Sequence, residues 1–129
     1  MAKNGDKFVL RPFQPEDYEE YAGWWPEKAP PRGSLPNIGF IVGDMKAAGF
    51  LAQTDCDFSI LTWWFCNPKN EPKESYEALL AYVLGGIEVS KFIGKKYMFC
   101  YTNKRSVIRL LESLNFTAIG EGHMALEVK

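Results

Sequence analysis

One apolar stripe with helical spacing constrains this chain more than any other feature of its sequence. The stripe recurs at i, i+3, i+4, i+7, i+8 and i+11, and its members are Tyr76, Leu79, Leu80, Val83, Leu84 and Ile87. This spacing predicts a helix from about Pro72 to about Phe92. Gly85 and Gly86 lie inside it, and each costs about 1 kcal/mol in a helix interior, so we expect a bend or a close helix-to-sheet contact there.

Segments with strand character lie on both sides of this helix. Before it we expect a strand at 8–12, a helix opening at 14–17 and ending near 24–25, an irregular proline-rich loop at 26–36, and strands at 37–42, 47–53 and 58–66, with a hairpin turn at 43–44. After it we expect a strand at 96–101, a helix capped by Asn103, and two strands over 116–128. Because a helix separates the strands at 58–66 and 96–101, these two should run parallel in an otherwise antiparallel sheet.

Composition excludes several classes of function. The 129 residues make one domain, residues 1–129, and the net charge of -1 argues against general binding to nucleic acid or to an anionic membrane. Residues 1–7 hold no apolar leader, and no apolar run is long enough to span a bilayer. Three cysteines without a C-x-x-C pair or neighbouring histidines argue against disulfides and a metal site. We therefore expect a soluble protein of a reducing compartment, the cytoplasm.

Charge is nevertheless uneven along the chain. A stretch without an acidic residue carries Lys91, Lys95, Lys96, Lys104, Arg105 and Arg109. It is either a local anion site or a solvated basic face, and both interpretations stay open. The Trp24–Pro36 region is similarly open, because its tryptophans either fill a core or form an aromatic groove or protein contact.

Four groups of residues occur in a familiar order. They are Leu10-Arg11-Pro12-Phe13-x-x-Glu16-Asp17; Gly39-Phe40-Ile41-Val42 followed by Ala48-Gly49-Phe50-Leu51; Trp64-Phe65-Cys66-Asn67-Pro68 before Ala78-Leu79-Leu80; and Asn103-x-x-Ser106-x-x-x-Leu110-Leu111-Glu112-x-Leu114-Asn115-Phe116. Together they resemble the GNAT superfamily of acyl-CoA-dependent N-acyltransferases over nearly the whole chain. The resemblance implies an α+β (mixed α/β) fold. Its central sheet would be mostly antiparallel, with one parallel splayed strand pair and helices on both faces.

The resemblance also implies a place for acetyl-CoA, between the strand ending near Pro68 and the strand at 96–101. The residues expected to bind it are Trp64, Phe65, Cys66, Asn67, Lys73, Ser75, Tyr76 and Asn103. Family members hold the pyrophosphate with a loop of the form R/Q-x-x-G-x-G/A, and the aligned segment here is Glu71–Tyr76. This loop is degenerate: Glu74 and Tyr76 replace the glycines, Pro72 lacks an N–H, and two carboxylates face the anion site. Lys69, Lys73 and Ser75 could offset part of that repulsion, and the basic stretch could take the 3′-phosphate.

Three residues are candidates for moving protons. Asp57 is placed by resemblance near the start of the strand at 58–66, Tyr101 is a substitute for the tyrosine that Leu111 replaces, and His123 lies in the final hairpin. Each has a plainer alternative, as a solvated, packed or exposed side chain. Cys66 and Cys100 are better explained by packing than by nucleophilic catalysis. Backbone N–H groups near Trp64 to Cys66, at a bulged strand end, would stabilise the oxyanion.

The leading hypothesis is a small N-acetyltransferase that transfers acetyl from acetyl-CoA to a primary amine by direct attack. The acceptor, a small molecule or a protein amine, is not readable from the sequence. The alternative is a catalytically inactive protein of the same fold that serves in binding or assembly, such as a phage-like structural or accessory component in a virion or its host cell. The altered loop and Leu111 favour the alternative, whereas the basic stretch, Asn67-Pro68 and Asn103 favour the enzyme.

Overall fold

Seven strands and three helices make up residues 8–128, the part of the chain that the computed structural model describes. The strands are β1 Leu10–Pro12, β2 Ile38–Val42, β3 Ala47–Gln53, β4 Phe58–Cys66, β5 Tyr97–Tyr101, β6 Thr117–Gly120 and β7 His123–Glu127. The helices are α1 Tyr18–Trp24, α2 Pro72–Phe92 and α3 Arg105–Ser113. The prediction about a leader at residues 1–7 lies outside the described residues. Within 8–128 no helix has the length and apolar character needed to cross a membrane.

All strands join one sheet in the order β1-β2-β3-β4-β5-β7-β6. Neighbouring strands are antiparallel except β4 and β5, which are parallel and are connected by α2. The predicted parallel pair and the predicted fold class are therefore confirmed. The predicted bounds of β4 and α2 also agree with the structure.

Helices cover both faces of the sheet. On one face α2 and α3 bury Tyr82, Val83, Leu110 and Leu111 against the sheet residues Val42, Leu51, Leu61 and Met98. On the other face α1 buries Tyr21 and Trp24 against Ile41, Ala48 and Phe50. Neighbours such as Ile41 and Val42 thus enter different cores, because successive strand side chains point to opposite faces.

Gly85 and Gly86 bring α2 close to the sheet, as their position predicts. A Cβ at Gly86 would lie 2.7 Å from Cδ2 of Leu61, and one at Gly85 would collide with Leu10. Further along α2, the hydroxyl of Ser90 hydrogen-bonds that of Ser59 on β4 at 2.5 Å. The helix therefore lies on β4 over much of its length.

A β-bulge interrupts β4 near its end. Ala48 pairs with Phe65 and Phe50 with Thr62, so that only Gly49 of β3 opposes Trp63 and Trp64. Trp63 adopts a φ of 53°, a left-handed conformation that is strained for a bulky residue. We call the segment Thr62–Trp64 the β4 bulge.

Two buried tyrosines hold the β4 bulge from opposite faces of the sheet. The Tyr21 hydroxyl donates to the Trp63 carbonyl at 2.7 Å. The Tyr82 hydroxyl donates to the carbonyls of Phe50 at 2.6 Å and Thr62 at 3.4 Å. Burial raises the pKa of both phenols, so both remain donors at neutral pH.

An ion pair joins β1 to the start of α1. Arg11 donates to both carboxylate oxygens of Asp17, at 2.8 and 2.9 Å, and the Gln14 N–H donates to the same carboxylate at 2.8 Å. The hydrogen bonds from Arg11 hold the pKa of Asp17 below its ordinary value of 3.8.

Two local predictions are wrong. The N-cap of α3 is Lys104 rather than Asn103, and the Lys104 N–H donates to Thr102 Oγ1 at 3.1 Å. The β2–β3 connection is a four-residue turn over 43–46 instead of a two-residue hairpin, with positive φ at Gly43 and Met45.

We expect Gly49→Ala to lower the free energy of unfolding by about 1–3 kcal/mol, because the added methyl would overlap a rigid ring. A Cβ there would lie 2.5 Å from Cε1 of Tyr82 and 2.9 Å from Cβ of Trp64. Urea unfolding measures the loss. The matched control is Gly33→Ala, since no atom lies within 4 Å of that Cβ. Equal stability of the two variants would contradict the tight packing at the β4 bulge.

We expect Asp17→Asn to lower the free energy of unfolding by about 1 kcal/mol at pH 7, the scale of an ion pair with one solvent-exposed partner, here Arg11. Because folding lowers the pKa of Asp17, its contribution is fully present above the ordinary value of 3.8 and is lost as pH falls below it. Urea unfolding at a series of pH values checks this, with Glu20→Gln on the exposed side of α1 as control. A difference that persists unchanged at pH 2 would contradict the assignment.

Candidate functional site

The two parallel strands separate towards their carboxyl ends. β4 and β5 pair only at Phe58 with Tyr97, Ser59 with Met98, and Ile60 with Phe99. Beyond these pairs β5 ends at Tyr101, while β4 runs on through the bulge to Cys66. The strand pair is therefore splayed, as the resemblance implies.

The opening between these strands is a cleft of about 350 Å³, which we call the β4–β5 cleft. Its lining residues come from β4, β5, α2, α3, the loop after α1 and the segment between β5 and α3. They are Trp25, Lys28, Trp64, Phe65, Cys66, Leu79, Tyr101, Thr102, Asn103, Lys104 and Val107. Aromatic and aliphatic walls with a few polar groups are typical of small-molecule sites.

The backbone of Cys66 faces this cleft. The Asn67 N–H donates to the Lys46 carbonyl, beside β3, at 3.0 Å. Because successive residues of an antiparallel pair alternate in direction, the N–H and C=O of Cys66 point the other way, towards β5. The indole N–H of Trp25 donates to the Cys66 carbonyl at 3.0 Å. An amide-bearing ligand in the cleft would meet a donor and an acceptor here, and the acceptor is already bonded.

The cysteines are not activated. Burial raises the pKa of the Cys66 thiol, which donates to the Ser75 carbonyl at 3.7 Å. Burial also raises the pKa of Cys100 to about 12. Both are protonated at neutral pH and neither is a nucleophile there. Among residues 8–128 no group of three or more His, Cys, Asp or Glu comes together to hold a metal ion.

The first turn of α2 is closed by its own side chains. Glu71 is the N-cap, its carboxylate accepts the Glu74 N–H, and the Glu71 N–H donates back to Glu74 Oε1 at 3.0 Å. The other Glu74 oxygen lies 2.9 Å from Lys46 Nζ. This reciprocal capping box is what favours a helix start at Pro72. We call Glu71, Glu74 and Lys46 the α2 cap.

The predicted cofactor-binding residues fall into three groups. Trp64, Phe65, Cys66 and Asn103 line the β4–β5 cleft. The side chains of Asn67 and Ser75 are used within the protein, Asn67 Nδ2 donating to Met45 O and Ser75 Oγ accepting from Asn70 Nδ2. Lys73 and Tyr76 are exposed on α2 and do not line the cleft.

Of the three proton-transfer candidates, only Tyr101 lies at the cleft. Its ring is 4.9 Å from that of His123, which faces it across the β5–β7 pair and is exposed. Asp57 lies at the opposite end of β4, 4.0 Å from Lys96 Nζ, with a largely exposed side chain. Asp57 therefore lies away from the cleft, at the other end of β4, and a role for it in proton transfer stays a prediction.

The basic stretch is not one patch. Lys95 Nζ donates to the carbonyls of Thr54 and Cys56, and Lys96 lies beside Asp57, at the end of the sheet away from the cleft. Lys91 lies beside Glu88 near the end of α2. Of the stretch, Lys104 alone lines the cleft. The stretch as a whole therefore does not form a single anion site, and a contact with the 3′-phosphate stays a prediction.

Several lining residues were missed. Thr102 and Lys104 directly follow β5, and the rule that ligands bind beyond the carboxyl ends of parallel strands would have indicated them. Trp25 and Lys28 follow α1, in the region left open as a groove or a contact surface. Trp25 and Cys66 are hydrogen-bonded although they lie 41 residues apart in the sequence. A contact between residues so far apart cannot be predicted from a local sequence pattern.

Comparison with known proteins places this geometry in a common architecture. No protein-family model and no curated protein matches the chain, but 51 chains of known structure do. A GNAT family N-acetyltransferase from Escherichia coli in complex with CoA matches with a TM-score of 0.69 and 8% identity, over 100% of this chain and 86% of that one. A Bacillus subtilis acetyltransferase in complex with CoA gives 0.71 and 12%, over 95% and 100%.

A third neighbour is the ribosomal-protein-S18-alanine N-acetyltransferase from Escherichia coli, with a TM-score of 0.67, 18% identity and 94% of each chain covered. All three likenesses extend over nearly the whole chain. The protein has the fold of the GNAT acetyltransferases.

Proposed function

We propose that this protein binds acetyl-CoA through the β4–β5 cleft and transfers the acetyl group to a primary amine. The observation that carries the proposal is the separation of β4 from β5, which exposes the Cys66 backbone to an opening with apolar walls. Of the three structural neighbours described above, two are complexes with CoA. The acceptor is a small molecule or a protein amine, as in the neighbour that acts on an alanine of a ribosomal protein.

The cleft suits the pantetheine arm of CoA. The arm is a slender chain with two amides, and the Cys66 N–H and C=O offer it hydrogen bonds of the kind a neighbouring strand would make. Trp64, Phe65 and Val107 supply apolar contact along it. Lys28 and Lys104 at the cleft carry charge of the sign that attracts phosphates.

The α2 cap does not suit the pyrophosphate. A phosphate at a helix N-terminus needs free backbone N–H groups and little negative charge nearby. Here Pro72 has no N–H, the Glu74 N–H is bonded to Glu71, and both carboxylates are in place. No step of the proposed reaction depends on this part of the cosubstrate.

Acyl transfer requires the protein to stabilise the oxyanion and to supply a proton to the leaving sulfur. The amine nitrogen attacks the thioester carbonyl, the amide bond forms and the C–S bond breaks; the nitrogen passes its proton to solvent water, the sulfur takes one from Tyr101, and solvent returns a proton to Tyr101, so that the protons balance. Backbone N–H groups at the β4 bulge stabilise the oxyanion, and Tyr101, at the end of β5, donates a proton to the thiolate. Cys66 stays a thiol, so the attack is direct, without an acyl-enzyme.

A second candidate is a protein of this fold that binds a partner without catalysis. The α2 cap favours it, since the fold's usual anion site is filled, and so does the position of Asp57 at the end of β4 away from the cleft. A contact surface at Trp24–Pro36 would then be used in the cytoplasm or in a virion. Trp24 is buried in α1's core and Trp25 is bonded to Cys66, so the exposed loop Pro31–Ser34 would carry that contact.

We expect acetyl-CoA to stabilise the protein, by about 2.7 kcal/mol at a concentration 100 times Kd. Asn103→Trp should weaken binding about tenfold or more, because the indole would fill the mouth of the cleft. Isothermal titration calorimetry at low salt gives both affinities. Ser106→Trp is the matched control, since Ser106 is exposed on α3 and does not line the cleft. If acetyl-CoA gives neither binding heat nor a thermal shift with the wild-type protein, the proposed acetyl transfer is contradicted and the non-catalytic binding protein is the function that remains.

We expect Trp25→Phe to tighten acetyl-CoA binding about two- to tenfold, the range of one neutral hydrogen bond. The Trp25 indole competes with the ligand amide for the Cys66 carbonyl, and phenylalanine keeps an aromatic wall without that donor. Trp63→Phe serves as control, because the Trp63 side chain does not line the cleft. Weaker or unchanged binding by Trp25→Phe would show that the Cys66 carbonyl is not the acceptor.

A further inference from the structure

The α2 cap is a built feature rather than a loose loop. Glu74 is held at both oxygens, Oε1 by the Glu71 N–H and Oε2 by Lys46 Nζ. The Lys46 carbonyl in turn accepts the Asn67 N–H at 3.0 Å and Asn70 Nδ2 at 2.8 Å. The β2–β3 turn therefore braces the segment that leads into α2. Rearranging the cap to admit an anion would break several of these bonds together.

The cap also occupies several of the groups that a phosphate would use. Of the residues that begin α2, Pro72 has no N–H and the Glu74 N–H is bonded to Glu71. The Ser75 N–H donates to the Glu71 carbonyl at 3.1 Å. Lys46, a cation at this end of α2, is paired with Glu74. Carboxylates thus occupy the place of an anion, and a second anion would be repelled.

The cleft is unaffected by this closure. Its lining includes neither Glu71 nor Glu74, and the Cys66 backbone opens into it from the β4 side. The pantetheine arm of CoA would therefore meet an open cleft, whereas the pyrophosphate of its nucleotide would meet the α2 cap, where carboxylates already lie.

We propose that the donor is recognised as an acyl-pantetheine thioester, with the nucleotide part of CoA contributing little to binding. This inference rests on the proposed function, because it presumes that the β4–β5 cleft holds a thioester arm. It assigns the substrate class as acyl groups on pantetheine, whatever that arm is attached to. The α2 cap is then the specificity-determining element, since it removes the advantage that a nucleotide would give.

The test compares S-acetylpantetheine with acetyl-CoA on wild-type protein by calorimetry at low salt, with ADP as a probe of the nucleotide alone. We expect the two thioesters to bind within about threefold of each other, a gap far below the tenfold that 1.4 kcal/mol would give, and ADP not to bind. Acetyl-CoA binding about thirtyfold more tightly, or ADP binding measurably, would overturn the inference and leave the proposed function standing. Binding of neither thioester would overturn the proposed function itself.

A charge-neutral variant tests the cause. Glu71→Gln with Glu74→Gln removes both carboxylates, and glutamine at the third helical position still supports a capping box. We expect acetyl-CoA to bind this variant about fivefold more tightly than wild type, and S-acetylpantetheine to bind equally to both. Glu88→Gln, near the far end of α2, is the matched control. An equal gain for both thioesters, or none for acetyl-CoA, would contradict a role for the α2 cap in donor selection.

Discussion

The β4 bulge is the constraint on which the rest of the site depends. A regular β4 would continue its parallel ladder with β5, and no opening would exist. The bulge turns the last residues of β4 away, at the cost of a left-handed backbone at Trp63. Tyr21 and Tyr82 offset that strain with hydroxyl bonds to carbonyls in and beside the bulge, one from each face of the sheet. The aromatic cores therefore shape the cleft as well as stabilise the fold.

The cleft and the α2 cap lie close together along the chain but point to different conclusions about ligands. β4 ends at Cys66 and α2 begins at Pro72, so five residues connect a formed opening to a closed helix end. In the fold's usual arrangement both would serve one cosubstrate. Here the carboxylates of Glu71 and Glu74 act as an internal anion, and the ligand proposed for the remaining cleft is the uncharged arm. This division reconciles the intact splayed strands with the loss of glycines.

The sequence predicts the fold well and the site only in part. The periodic stripe predicts the bounds of α2, and the strand character of residues 58–66 predicts β4, because both signals are local. The resemblance supplied a bulged strand end, but nothing local announces a left-handed tryptophan or the bond from Tyr21 to Trp63, which lie 42 residues apart.

The positions of Asp57 and of the basic stretch, both away from where the sequence suggested, also have physical causes. Asp57 and Cys66 stand nine residues apart on an extended strand, about 30 Å, so a carboxylate at the start of β4 lies far from the end of that strand. The basic stretch similarly spans β5, and the two ends of this strand lie at opposite ends of the sheet. A run of charges along the chain is therefore not a patch in space.

Backbone amide shifts measured by nuclear magnetic resonance during titration with S-acetylpantetheine test the central claim most directly. The account predicts saturable shifts concentrated at Trp64–Cys66 and Thr102–Lys104, with the amides of Lys73–Ser75 unmoved. Saturable shifts that avoid the β4–β5 cleft, or that are largest in the first turn of α2, would contradict it.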